Sequence, residues 1–160
     1  MTSVVADLMA ALEGSGHTVA VAESLTGGAL ASALISPAGA SAVVRGGVVA
    51  YDTELKASLL GVDRDLLDEQ GPVHPEVARQ MAIGVRVALA TSQGPASIGV
   101  ATTGVAGPAS QGGHPAGTVF VAVAHGDEVD VREAAFDGDR SSVRAATVDL
   151  ALEMLGNTVR

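Results

Sequence analysis

With one tyrosine, two phenylalanines and no tryptophan among 160 residues, this chain must fill its interior with small and branched aliphatic side chains. Ala, Val and Leu let helices lie close on a sheet, which points to an α/β fold. Hydrophobic residues make up 48% and charged residues 17%, ample for a sizeable core and against disorder. The length suits one domain across 1–160. A net charge of −9 repels a phosphate backbone, so neither a nucleic-acid binder nor a protein that coats anionic membranes is expected. The absence of cysteine removes disulfides, thiolate metal sites and a cysteine nucleophile. No apolar run reaches the roughly 18 residues of a membrane span. The start, Met1 to Leu12, carries Asp7 and no basic cluster, unlike a secretory signal. The expectation is a soluble cytoplasmic protein.

Periodicity and turn residues divide the chain into alternating elements. Val4 to Leu12 has helical spacing and stops at Gly14 and Gly16. Thr18 to Ala22 is a short continuous apolar run, as in a buried strand. A helix is expected over Ala29 to Ile35, a turn at Ser36 to Gly39, and a strand from Val43 to Tyr51 with Gly46-Gly47 weakening or bulging its middle. Asp52 or Thr53 can cap a helix to Leu60, and Asp63 to Glu69 is a short helical piece. Pro75 suits a first helical position, ahead of an amphipathic helix to Ala90 with Val77, Met81, Val85 and Leu89 at fours. Ala96 to Thr102 reads as a strand. Thr118 to Ala124 and Val129 to Phe136 form a hairpin around Gly126-Asp127, and a helix runs from Asp139 to Leu155. The order predicts a three-layer sandwich, a mixed sheet with helices on both faces.

Four places can carry chemistry. Ser24 lies where a strand stops and a helix begins, with Thr26, Gly27 and Gly28 straight after it. It is either a helix cap or a nucleophile at a strand's carboxyl end, with backbone N–H groups near the glycines free to hold an oxyanion or phosphate. Tyr51 and Lys56 span the next strand–helix junction. Lys56 is either a surface partner of Glu54 or Asp52, or an amine kept neutral by desolvation or by a cation such as Arg45, and so able to deprotonate Ser24. Thr103-Gly104 opens a glycine-rich loop that either turns the chain or lets backbone approach a ligand. Arg140 and Arg144 share one helix face and either hold an anion or pair with Asp137, Asp139 or Asp149. His17, His74, His114 and His125 have no metal-site spacing, and no metal is expected.

Taken together, Ala22-Glu-Ser-Leu-Thr-Gly-Gly28, the Tyr51-x4-Lys56 pair, Val73-His-Pro-Glu-Val-Ala-Arg-Gln-Met-Ala-Ile-Gly84, Thr102-Thr-Gly-Val-Ala-Gly-Pro108 and Pro115-Ala-Gly-Thr-Val-Phe120 resemble, in this order, the CinA C-terminal domain family, the nicotinamide mononucleotide deamidases. The resemblance runs from about Val4 to Leu155. It implies hydrolysis of nicotinamide mononucleotide to nicotinic acid mononucleotide and ammonia, a step of pyridine-nucleotide recycling, without a cofactor. It implies Ser24 as nucleophile, Lys56 as general base and Tyr51 as an assisting hydroxyl. Thr26, Gly27, Gly28, Arg45, Thr103 and Gly104 are then candidates for the substrate site, and Arg140 or Arg144 for the phosphate-side cation. Two departures are visible. Leu25 stands where the family usually has cysteine, and the loop Ala109 to His114 lacks the common lysine before Pro115. Longer family members carry a further N-terminal domain similar to molybdopterin-binding proteins, for which these residues leave no room, so a stand-alone deamidase is expected. The other readings are a non-catalytic nucleotide-binding module and, against the charge, a structural partner in DNA uptake or repair. Apolar strand edges also suggest a homo-oligomer.

Overall fold

A computed structural model describes residues 2–159. Its elements are α1 (Thr2–Gly14), β1 (Val19–Glu23), α2 (Ala29–Ile35), β2 (Val44–Val49), α3 (Thr53–Leu60), α4 (Arg64–Gln70), α5 (Pro75–Ala88), β3 (Ile98–Gly104), β4 (Thr118–His125), β5 (Glu128–Ala135) and α6 (Arg140–Thr158). A 3-10 turn at Ala40–Ala42, which the sequence did not signal, follows the expected turn. The caps fall where the side chains allow them. Asp52 Oδ1 accepts the Glu54 N–H at 2.8 Å, Asp63 Oδ1 accepts that of Asp65 at 2.8 Å, and Pro75 opens α5. His74 caps α5, its Nδ1 accepting the Glu76 N–H at 3.1 Å.

The strands form one sheet in the order β2-β1-β3-β4-β5. β1 is parallel to both β2 and β3, and β4 and β5 run antiparallel. The sandwich is as the sequence predicted. α3 and α5 pack on one face over Ala20, Ala22, Ala101 and Phe120. α1, α2 and α6 cover the other over Val19, Val21, Val100 and Val121. Small residues permit this closeness. A Cβ on Gly99 of β3 would sit 1.9 Å from the Ala82 carbonyl oxygen of α5. The irregularity in β2 lies near its start, not at its middle: the pairing skips Arg45 between Val44 and Gly46.

This topology decides where a site can form. Parallel pairing of β2, β1 and β3 brings three carboxyl ends to one edge. Ser24 follows β1 there, Ala50 and Tyr51 follow β2, and Gly104 ends β3.

Candidate functional site

The crevice at this edge encloses about 150 Å³. Ser24, Lys56, Tyr51, Thr103, Gly104 and Arg140 all line it. Ser24 is buried, and its N–H donates to the Thr102 carbonyl at 3.0 Å, which holds the turn against β3. Lys56 reaches in from the first turn of α3 and is only 1% exposed. Its Nζ donates to Ser24 Oγ at 3.1 Å and to the Ala50 carbonyl at 2.7 Å. A surface ion pair is therefore not its role. Burial pushes the Lys56 amine down from its ordinary 10.5 to about 8, against the opposing pull of the Asp52 carboxylate.

Tyr51 is 60% exposed at the mouth of the crevice, where its Oη accepts from Arg140 Nη2 at 3.0 Å. Arg140 Nη1 donates to the Gly107 carbonyl at 2.9 Å, so one guanidinium bridges the two sides of the opening. The two arginines of α6 thus have different work. Arg144 is turned inward, its Nε and Nη2 donating to the carbonyls of Leu25 and Thr26, each at 2.9 Å. It braces the turn after Ser24 and is not among the residues that line the crevice.

Several expected substrate contacts are spent inside the protein. Thr26 is fully buried, its hydroxyl 2.8 Å from that of Thr102. Gly27 and Gly28 have φ of 59° and 97°, a left-handed turn that favours glycine. Their N–H groups are occupied, Gly27 by the Ser24 carbonyl at 3.1 Å and Gly28 by a Glu23 carboxylate oxygen at 3.1 Å. They are not the free anion donors that the sequence suggested. Among the described residues the N–H groups of Leu25 and Thr26 meet no acceptor, and Leu25 lines the crevice. The Leu25 side chain is buried beside Ala106, Val119 and Val143. Arg45 sits near the start of β2, at the opposite end of that strand, and donates to Gln93 Oε1. It neither reaches the crevice nor lowers the Lys56 pKa; desolvation does that.

Thr103 and Gly104 lie in the crevice wall, and the Thr103 hydroxyl donates to the Pro72 carbonyl at 2.7 Å. Pro72, Val73, Thr53 and Gln111 also line it. Sequence reasoning placed none of these in the site: Thr53 was read only as a possible helix cap, Gln111 lay in the loop that departs from the family, and Val73 opens one of the quoted motifs. His17 and His125 meet edge to face at 4.5 Å away from this edge of the sheet. Among the described residues no group of three or more His, Asp or Glu is placed to hold a metal ion.

The arrangement pairs a buried alcohol with an amine of lowered proton affinity beside a polar opening. Such a pair can generate an alkoxide-like nucleophile and return the proton to a leaving group.

Comparison with known proteins agrees with the quoted motifs. The family model described as CinA C-terminal domain matches residues 1–159. A CinA-like protein of Frankia casuarinae is 47% identical over 138 residues, which cover 86% of this chain and 31% of that protein. A putative competence-damage inducible protein of Bacillus pumilus is 38% identical over 159 residues, 99% of this chain and 37% of the relative. The chain thus spans about a third of the length of these curated relatives. Among solved structures, the competence damage-inducible protein A from Klebsiella pneumoniae superposes with a TM-score of 0.91 at 33% identity, covering 99% of this chain and 96% of that one. A competence/damage inducible protein from Agrobacterium tumefaciens gives 0.88 at 35% identity, covering 99% and 94%.

Proposed function

The chain belongs to the CinA C-terminal domain family, and on that premise we propose that it hydrolyses the carboxamide of nicotinamide mononucleotide, giving nicotinic acid mononucleotide and ammonia. The observation that carries this reading is the 3.1 Å contact between Lys56 Nζ and Ser24 Oγ in a buried setting. A non-catalytic nucleotide-binding module has no use for a lysine kept out of water against a serine.

In the proposed cycle neutral Lys56 takes the Ser24 proton as Oγ attacks the amide carbon. The carbonyl oxygen gains the negative charge, and the Leu25 N–H is the donor assigned to receive it, since it meets no acceptor among the described residues and Leu25 lines the crevice. Lys56 passes its proton to the departing nitrogen, the C–N bond breaks and ammonia leaves. Water, deprotonated by the same amine, then cleaves the acyl–serine bond to give the free carboxylate and restore both side chains. The phosphate is assigned to the Arg140 guanidinium at the mouth of the crevice, which Tyr51 Oη holds there and whose charge suits a phosphoryl group; the observed contact of these two side chains supports the assignment. The site belongs to a pyridine-nucleotide recycling step in the cytoplasm. Among the described residues no helix is long and apolar enough to cross a membrane.

The deciding experiment measures ammonia release from nicotinamide mononucleotide by the purified chain and by Ser24→Ala. Turnover in the wild type that vanishes in the variant supports the proposal. Undiminished turnover in Ser24→Ala ends the assignment of the nucleophile. Exposed Val49 on the edge strand β2, together with exposed Leu55 and Leu59 on α3, favours a homo-oligomer. Light scattering that gives a monomer mass at all concentrations would remove that part.

A further inference from the structure

Ser24 and Lys56 come from different elements, yet their contact depends on the residue between β1 and the serine. Glu23 is 1% exposed, and among the described residues no basic side chain forms an ion pair with it. Its carboxylate is satisfied by the start of α2. Oε2 accepts the N–H groups of Gly28 at 3.1 Å and Leu30 at 3.0 Å, and Oε1 accepts that of Ala31 at 2.8 Å. Three charge-assisted hydrogen bonds and the helix dipole replace the water this anion has lost. The Glu23 main chain points the other way in the network. Its carbonyl accepts the Ala50 N–H at 2.8 Å, and the Ala50 carbonyl accepts Lys56 Nζ at 2.7 Å. Lys56 then closes the circuit on Ser24 Oγ at 3.1 Å.

We propose that Glu23 is a positioning residue for the Ser24–Lys56 pair: its side chain fixes the turn that carries the serine, and its carbonyl fixes the anchor that carries the lysine. The inference rests on Ser24 being the nucleophile. It goes further, because a buried carboxylate that never touches the reacting atoms sets their separation. A purely stabilising role would make Glu23 one helix cap among others, such as Asp63 on α4.

Glu23→Gln tests this. The amide keeps the volume but has one acceptor oxygen, so an NH2 faces at least one N–H that the carboxylate now accepts. Asp63→Ala, which removes the α4 cap, serves as the control for stability alone. Three quantities are compared with the wild type. The first is the rate of Ser24 modification by a fluorophosphonate, in which the Oγ–P bond forms and fluoride leaves, followed by intact mass and mapped to Ser24. The second is kcat and KM for ammonia release, and the third is the melting temperature. Glu23→Gln is expected to label about 20- to 100-fold more slowly, with kcat falling in step and KM held within about twofold. Glu23→Asp, which keeps both oxygens but is one methylene short, should fall between the two. Asp63→Ala should melt earlier yet label at the wild-type rate.

A folded Glu23→Gln protein that labels at the wild-type rate with the wild-type kcat overturns the inference. So does failure of both Glu23 variants to fold in the cold, which would make the residue one of the fold. A wild-type chain that neither labels at Ser24 nor releases ammonia ends the hydrolase reading, and this inference with it.

Discussion

The central strands β1 and β3 are apolar over one half and polar over the other, although both halves are buried. Val19 to Ala22 and Ile98 to Ala101 present only aliphatic side chains and glycine to the two helical layers. At the carboxyl ends the same depth holds Glu23, Ser24, Thr26, Thr102 and Thr103, joined by Lys56 from α3. The first half stabilises through burial at about 25 cal/mol per Å² of apolar surface. The second half forgoes that gain and is tolerable only because its polar atoms meet partners. The difference teaches where the chain departs from an optimal core, and such departures mark chemistry.

Substitutions in the two halves should therefore behave oppositely. Ser24→Ala should show the largest effect, a loss of about 10⁴-fold or more in kcat for ammonia release with little change in melting temperature. Lys56→Met should lower kcat about 10³-fold. It should also stabilise the protein by about 1–2 kcal/mol at pH 7 in urea titration, because the buried ammonium is gone while one carbonyl loses a donor. A destabilised Lys56→Met protein would break the contrast between the halves.

The pH dependence is next in size. The Lys56 amine must be neutral to accept a proton, and its pKa is about 8. Activity should fall about tenfold for each pH unit below 8 and level off above it; a profile flat down to pH 5 requires another base. Stability runs the same way. The folded pKa lies below the unfolded 10.5, so the folded chain binds fewer protons between about 8 and 10.5. Stability should rise across that window by up to about 3 kcal/mol from this group, with the full penalty present below it.

In the apolar half, Val100→Ala, at a fully buried position, should cost about 2 kcal/mol of stability and leave kcat per folded molecule unchanged. The smallest effect belongs to Arg45→Ala, near the start of β2. Stability should move by less than about 0.5 kcal/mol, with KM and kcat as in the wild type. A raised KM there would restore a substrate role to this arginine.

Local chemistry made much of this legible in the sequence. Asp52, Asp63 and Pro75 mark helix starts because capping is decided within a few residues. A shared edge for Ser24 and Lys56 followed only if their strands ran parallel, which the residues left open; the family resemblance is what paired the two side chains, and the parallel sheet brings them together. What escaped depends on distant partners. Nothing near Arg144 says that it donates to carbonyls 118 and 119 positions away, while Arg140, one turn earlier, reaches Tyr51. Gly28 looked like an open donor because its acceptor, Glu23, reads as an ordinary charged residue until it is seen buried, and Gly27 because the turn that gives its N–H to the Ser24 carbonyl is not visible in the sequence. Tyr51 drew attention as a rare aromatic, yet nothing beside it in the sequence shows that Arg140 holds it at the opening of the crevice.

Reversal of chain direction at β4 has an architectural result. The end of β3 and the beginning of β4 meet over the crevice, and the segment joining them forms its roof. That segment is stitched shut at its base, where the Gly117 N–H donates to the Val105 carbonyl at 2.7 Å and the Val105 N–H to that of Thr118 at 2.8 Å. Residues beyond the stitch can lengthen, shorten or change chemistry without shifting any strand, since each doubling of such a span costs only about 0.6 kcal/mol. One rigid floor can thus serve under many different ceilings.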